Sequence, residues 1–317
     1  MKKTLLMVAF AAVCSMAQAK ILRVNNTTGS GAPYTKVNDA VADAVAGDTI
    51  MLDGAKASYG NITINKKLVL LGPGYWRSEN GVTGQGESDA TMGTITINSA
   101  AQGTVIRGLN LEYIKVNANN VVINRCHVWN GINLISGIGN TADNCVVHQN
   151  LIAGNIQGYS NNTYANYTQI TNNIFTTRKN NVIRYINEGY IAYNTFTCSK
   201  PDQYDKQIAD IKGCTLTKNI LIGNEDIIDG NSYVDNYMTA GWNITLYNHQ
   251  NTDLTIKNEQ LSDEDAAAIA GKGAFNGDDP YVISGIPAGP VIQDLTVPAS
   301  VEQGNNLNIT IKLGVQK

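Results

Sequence analysis

Basic and phenolic side chains are concentrated in one short stretch near the middle of the chain. Such groups can neutralise the carboxylate of a uronic acid and remove the neighbouring proton without a metal ion. We therefore predict a groove for an acidic glycan, with Arg184, Tyr185 and Lys179 as candidate catalytic residues. Arg178 and Tyr193 lie in the same stretch and are candidate ligand-binding residues. The alternative interpretation is a set of solvated loop charges beside packed tyrosines.

Three more tyrosines precede this stretch. Tyr159, Tyr164 and Tyr167 are set among serine and asparagine residues. A tyrosine ring can stack on the face of a sugar while its hydroxyl stays hydrated. We predict that these three residues bind glycan, and the alternative is a tyrosine-rich loop that covers the core.

The three histidines are His127, His148 and His249. His148 follows an inward-facing valine of the repeat described below, so its side chain should point outward. We include His148 among the candidate ligand-binding residues. The sequence contains no readable order of serine, histidine and aspartate that is typical of a catalytic triad.

Carboxylates are sparse where the chain is most regular. Between residues 91 and 201 the acidic residues are Glu112, Asp143 and Glu188, which is few for a calcium site. Glycoside hydrolysis needs two neighbouring carboxyl groups. The adjacent pair Asp278 and Asp279 directly precedes a proline, which predicts a turn instead. We expect no metal and no cofactor.

The first residues form the pattern of a secretory signal. Lys2 and Lys3 precede an apolar run from Leu5 to Val13, and Ala17-Gln18-Ala19 is typical of a cleavage site. We predict that residues 1–19 are a signal peptide and that the protein is exported to the periplasm, the cell surface or the medium. No later apolar run is long enough to span a bilayer.

Charge and cysteine content limit the partners and the cross-links. The formal net charge of −3 gives no basic surface for nucleic acid, so we expect no nucleic-acid partner. Cys126, Cys145, Cys198 and Cys214 have spacings that match no zinc or redox motif. We favour buried free thiols over a single disulfide. The sequence leaves the oligomeric state open.

A short pattern, apolar-x-x-Asn-x-apolar, recurs between residues 105 and 222. The intervals between copies are 17 to 25 residues, and the copies lack the apolar spacing of helical repeats. They predict a coil of short strands stacked at about 4.8 Å. The copies begin at Ile106, Ile123, Val147, Ile170, Ile191 and Leu216.

The repeat brings asparagines to the same position in successive turns of the coil. Asn150, Asn173, Asn194 and Asn219 would stack as a ladder, with each amide paired to the amides above and below. Asparagine also tolerates the left-handed backbone conformation that a sharp corner needs. We predict that these residues have a structural role.

The two ends of the coil differ from its middle. Thr35 is predicted to cap a short helix with Val37, Ala40 and Val41 on one face, and this helix would plug the open end. In the tail, the acidic residues 263–265 predict the start of a second helix. Residues 307–313 alternate apolar and polar side chains, which predicts a terminal strand.

The succession of the plugging helix, Gly47-Asp48-Thr49-Ile50, and Ile62-Thr63-Ile64 through Leu71-Gly72-Pro73-Gly74 resembles the opening of the pectate-lyase-like superfamily. The asparagine repeats resemble its later coils, and residues 273–290 are similar to the ending of exported bacterial β-helix proteins of uncharacterised function. The resemblance implies an all-β fold, a right-handed parallel β-helix (solenoid) with an N-terminal capping helix over residues 20–235. Residues 236–317 would add a C-terminal segment that packs on the β-helix or forms a small β module.

This resemblance does not imply one activity, because the superfamily includes lyases, hydrolases, esterases, epimerases and adhesins. The scarcity of paired acids favours a secreted protein that binds extracellular or cell-surface polysaccharide without catalysis. The first alternative is a polysaccharide lyase that acts on an acidic glycan by metal-free β-elimination. The second is a structural or adhesive surface protein.

Overall fold

The computed structural model describes residues 19–76, 88–160, 162–176, 181–196, 207–222, 230–239, 263–286, 289–296 and 309–316. Over these residues the chain is mainly β, and it alternates between two long, all-parallel sheets of ten and twelve strands. The predictions of a mainly β chain and of stacked parallel strands are confirmed, and the arrangement is consistent with a parallel β-helix. The predicted signal peptide falls almost entirely outside the described residues.

The ten-stranded sheet contains one short strand from each turn of the chain. In sheet order its strands are β1 (Ile21–Val24), β2 (Thr49–Leu52), β4 (Val69–Leu71), β6 (Val105–Arg107), β8 (Val122–Asn124), β10 (Val146–His148), β14 (Gln169–Thr171), β18 (Tyr190–Ala192), β21 (Thr215–Thr217) and β23 (Ser232–Val234).

The twelve-stranded sheet divides at β9 (His127–Leu134), which pairs with β11 (Leu151–Ile152) along its first part and with β12 (Asn155–Gln157) along its second part. Before the division lie β3 (Ile62–Ile64), β5 (Thr91–Ile97), β7 (Asn110–Val116) and β9 (His127–Leu134). One branch contains β11 (Leu151–Ile152), β15 (Ile174–Phe175), β19 (Thr195–Phe196), β22 (Ile220–Ile222) and β24 (Tyr237–Thr239). The other contains β12 (Asn155–Gln157), β16 (Ile183–Arg184) and β20 (Ile208–Ala209).

Two smaller pairs complete the strands of the described chain. A short parallel pair joins β13 (Ala165–Asn166) to β17 (Ile186–Asn187) at the corner that precedes the ten-stranded sheet. Near the C-terminus, β25 (Gly289–Thr296) and β26 (Thr310–Gln316) form an antiparallel pair. The terminal strand that the alternating pattern predicts is therefore present, and it begins three residues later than expected.

Copies of the repeat stack in register, which places like residues above like. Ile123, Val147, Ile170, Ile191 and Leu216 are Cα partners in successive strands, and all are buried. Burying an aliphatic side chain of this size stabilises a fold by about 1.5–3 kcal/mol. The column thus forms a continuous apolar core between the two sheets.

The predicted asparagine ladder is present, and Asn236 extends it by one rung. The Asn150 amide donates to Oδ1 of Asn173 at 2.9 Å, and Asn173 repeats the contact to Asn194 at 3.1 Å. Asn194 donates to Asn219 at 3.0 Å, and Asn219 donates to Asn236 at 2.8 Å. We call these five residues the amide ladder.

The left-handed corner does not lie at the ladder asparagines, and this part of the prediction is wrong. Instead, the residues immediately before them have φ angles of 53° to 55°. The side chain of each ladder asparagine is hydrogen-bonded to its neighbours in the ladder, and the residue before it makes the bend. The chain holds this conformation even at side chains that rarely adopt it. The corner residues are Gln149, Asn172, Tyr193, Lys218 and Asp235.

The plugging helix, α1 (Val37–Asp43), is present and buries Val37, Ala40 and Val41. Thr35 does not cap it: the residue before the helix is Lys36, and no side-chain hydrogen bond caps this end. The helix is stabilised instead by its buried side chains and by a contact at its C-terminal end. There Nζ of Lys66 donates to the carbonyl of Ala44 at 2.7 Å, which suits the negative end of the helix dipole.

A second helix, α2 (Asp263–Ile269), begins at the predicted acidic residues. Residues 272–286, which we call the strap, then run along the corner residues in the reverse direction. Gly273 donates to the carbonyl of Lys218, Asn172 donates to the carbonyl of Ala274, and Arg125 donates to the carbonyl of Ile286. The strap therefore crosses several turns of the chain.

The strap covers apolar side chains on the branch of the large sheet that contains β11 and β15. Leu151 and Ile174 pack against Tyr75, Ala274 and Tyr281 in a small cluster separate from the main core. The hydroxyls of Tyr75 and Tyr281 are hydrogen-bonded to each other inside this cluster. Burial of this apolar area holds the strap on the sheet.

Cys126, Cys145 and Cys214 are buried free thiols, as predicted. Burial raises the pKa of Cys126 and of Cys145 to about 12. Cys198 lies outside the described residues. Among the described residues, no helix is long and apolar enough to cross a membrane.

Candidate functional site

Three of the predicted site residues converge at one corner of the chain. The rings of Tyr164 and Tyr185 meet edge to face with their centroids 6.1 Å apart. The guanidinium of Arg184 lies 4.0 Å above the Tyr185 ring and also contacts its hydroxyl. Arg184 forms an ion pair with Asp210 at 2.8 Å, so its charge is partly neutralised within the protein.

A lysine that the sequence analysis missed completes the cluster. Nζ of Lys212 lies 4.5 Å above the Tyr164 ring, on the side of a groove of about 420 Å³. Lys212 and Asn187 are bridge partners on adjacent turns of the chain. The repeat predicts that residues one turn apart become neighbours, but its unequal turn lengths do not identify which ones. The groove is lined by Ile135, Asn140, Thr141, Asp143, Asn162, Thr163, Tyr164, Asn166, Asn187 and Lys212.

The floor of the groove is a second row of polar side chains, which we call the outer ladder. The Asp143 amide donates to Oδ1 of Asn119 at 2.9 Å, and Oδ1 of Asp143 accepts from Nδ2 of Asn166 at 2.8 Å. Asn187 then donates to Oδ1 of Asn166 at 2.9 Å. Unlike the buried amide ladder, these residues are only partly buried, so they present polar atoms to the groove.

Two further predicted residues lie close to the groove in sequence. Tyr159 is 42% exposed and begins a turn whose backbone closes on Thr163, a groove residue. Tyr167 is exposed next to Asn166, and its hydrogen bond with Glu188 raises the pKa of its hydroxyl. Both tyrosines therefore border the groove residues without lining the groove.

The structure places Tyr193 and His148 elsewhere, beside the amide ladder. Nζ of Lys218 lies 5.4 Å above the Tyr193 ring. His148 contacts Oγ1 of Thr171 at 2.8 Å through Nδ1 and Oδ2 of Asp279 at 3.0 Å through Nε2. These two residues thus contact corner and strap residues, and they are not part of the groove. Arg178, Lys179 and His249 lie outside the described residues.

The groups that line the groove can bind a sugar. Arg184 is paired with Asp210, and Asp143 is bonded to Asn166. Among the described residues, no group of three His, Cys, Asp or Glu side chains could hold a metal ion. What remains is a tyrosine face, one lysine and a row of amides and hydroxyls, which can stack on a sugar ring and bind its hydroxyls.

Comparison of the chain with protein-family models, with curated proteins and with solved structures gave no match.

Proposed function

We propose that the chain is an exported right-handed parallel β-helix of the pectate-lyase-like kind that binds extracellular or cell-surface polysaccharide without catalysis. The alternation between two parallel sheets supports this fold, because crossover connections between parallel strands are almost always right-handed. The secretory pattern of residues 1–19 supports export.

One observation carries the proposal of binding. The groove joins the Tyr164 ring and Lys212 to the polar floor made by Asp143, Asn166 and Asn187. Stacking on an aromatic ring and hydrogen bonds to fixed amides are the two interactions that hold a sugar in a wet, shallow site. The ladder bonds hold these amides in place before a ligand binds, which lowers the entropic cost of binding.

Affinity electrophoresis tests this proposal. The purified chain is run through gels that contain galactomannan, mixed-linkage β-glucan, dextran, polygalacturonate, alginate or hyaluronan, and any affinity is then measured by titration calorimetry. We expect Tyr164→Ala and Lys212→Ala each to weaken binding by about 10-fold, as is common for central binding residues.

The second tyrosine and lysine pair provides matched controls. Tyr193→Ala and Lys218→Ala remove the same side chains from a corner that does not line the groove. They should bind as the wild type does. Retardation by none of the six polymers, or equal losses in the groove and control variants, would refute the proposal.

Ultraviolet absorbance of the same mixtures of protein and polymer tests for catalysis. An increase in ultraviolet absorbance from unsaturated uronate, absent in Arg184→Ala, would replace the binding proposal with metal-free β-elimination. The contact between the Arg184 guanidinium and the Tyr185 hydroxyl is the arrangement that such a reaction would use.

A further inference from the structure

A β-bulge in the large sheet turns two neighbouring side chains outward. The register between β7 and β9 shifts between Leu111 and Tyr113, so Trp129 and Asn130 together lie opposite Glu112. Both Trp129 and Asn130 are exposed, although residues of a regular strand alternate between the two faces. A bulge re-aims side chains in this way, and bulges often lie beside functional sites.

The exposed indole of Trp129 is held in one orientation. The residue is 49% exposed, while its Nε1 donates to Oδ1 of Asn110 at 2.7 Å. Asn110 is fixed in turn, because its amide donates to Asp89 at 3.0 Å. The ring of His127 packs against the indole with centroids 4.3 Å apart, and Trp76 packs behind His127 at 4.8 Å.

Within the described part of the chain, the two rings that support the indole, His127 and Trp76, carry no positive charge. His127 is buried, and burial lowers its pKa to about 3, so its ring is neutral at physiological pH. Of the acidic residues that the structure describes, Glu112 lies opposite the bulge and Asp89 lies behind Asn110. Lys115 lies further along β7, opposite Asn133. The described residues that surround Trp129 therefore disfavour a negatively charged ligand.

We propose that Trp129 is a sugar-stacking subsite that binds a neutral pyranose ring, with Glu112 and Asn130 bonded to its hydroxyls. A rigid, half-exposed tryptophan gives a large contact area at little entropic cost. Glu112 and Asn130 already approach each other at 3.4 Å and offer both acceptors and donors beside the ring. This inference rests on the proposed function and names its ligand class as neutral polysaccharide.

The same strand connects this subsite to the groove. Trp129 lies near the start of β9, and Ile135, a groove residue, directly follows its end. Six residues of extended chain span roughly 20 Å, which is the reach of several sugar units. Between Trp129 and Ile135, Asn133 accepts a hydrogen bond from Gln157 at 3.0 Å, which continues the polar surface. One polysaccharide chain can therefore contact both sites.

The test compares Trp129→Ala with the wild type on the neutral polymers galactomannan, mixed-linkage β-glucan and dextran and on the acidic polymers polygalacturonate, alginate and hyaluronan. We expect the wild type to prefer a neutral polymer and Trp129→Ala to weaken that binding by about 10-fold. Trp129→Tyr should restore part of the affinity. Tyr190→Ala is the matched control, because Tyr190 is an exposed ring on the other sheet, and it should bind as the wild type does.

The outcomes separate this inference from the proposed function. If Tyr164→Ala weakens binding and Trp129→Ala does not, the subsite is wrong and the groove stands. Preference for an acidic polymer also overturns the neutral subsite and leaves the groove in place. If the wild type binds none of the polymers, both proposals fail. Thermal melts of every variant show that a loss of binding is not a loss of fold.

Discussion

Replacing Asn173 with alanine measures how much the amide ladder stabilises the stacked turns. The side chain is fully buried. Its Oδ1 accepts from the backbone amide and the side chain of Asn150, both at 2.9 Å. Its Nδ2 donates to the carbonyl of Val147 at 2.8 Å and to Asn194 at 3.1 Å. Alanine removes all four bonds and leaves their partners buried.

The magnitude follows from these contacts. Each buried hydrogen bond contributes about 1 kcal/mol, so the loss should be about 4 kcal/mol. For a chain of this size each kcal/mol lowers the melting temperature by about 2–4 °C, so we expect a decrease of about 8–16 °C. Thermal unfolding is followed by circular dichroism in the far ultraviolet. Hydrogen exchange gives a local measurement, because the Asn150 amide should lose its protection.

Asn187→Ala is the matched control for this experiment. Asn187 belongs to the outer ladder, is only partly buried, and donates one bond to Asn166 at 2.9 Å. Its replacement should cost about 1 kcal/mol. If Asn173→Ala melts within a few degrees of Asn187→Ala, or if the Asn150 amide stays protected, the amide ladder does not stabilise the fold as we argue.

The buried titratable groups give two further predictions. The pKa of His127 is about 3 in the fold and near 6.5 in an unfolded chain, so the unfolded state alone binds a proton as the pH falls from 6.5 to 3. The wild type should therefore lose about 3 kcal/mol more than His127→Leu between pH 7 and pH 4 in denaturant titrations; equal losses would contradict this. Leucine suits the site because Leu151 is its neighbour in register. Cys126, Cys145 and Cys214 should resist alkylation at pH 8 until the chain unfolds, as peptide mass spectrometry would show, since burial raises their pKa values.

The strap covers part of the large sheet, and the groove is formed by other residues. It covers Leu151 and Ile174, whose side chains would otherwise expose an apolar strip on the sheet. It is anchored by Gln149, which donates to the carbonyl of Pro280 at 2.6 Å. The groove lies at a different corner, beside β13 and β17. Within the described part of the chain, no hydrogen bond joins the strap to a residue that lines the groove. The strap and the groove therefore lie at different corners of the described chain.

The repeat could be read directly from the sequence because stacking forces like residues into one column. The apolar positions and Asn150 through Asn219 follow this rule, so the parallel ladders and the amide ladder were predictable. The position of the corner was not. Side chains as different as Gln149, Tyr193 and Lys218 make the bend, so its position carries no local signal in the sequence.

The candidate sites depended on the tertiary structure for a related reason. Tyr164 and Lys212 lie two turns apart and meet only because the turns stack, and the turn lengths vary too much to fix that pairing in advance. Trp129 gave no signal either, because its exposure comes from a one-residue bulge. The sequence by itself determined which residues form the repeated core. The stacking of turns of unequal length decided which polar and aromatic side chains share a surface.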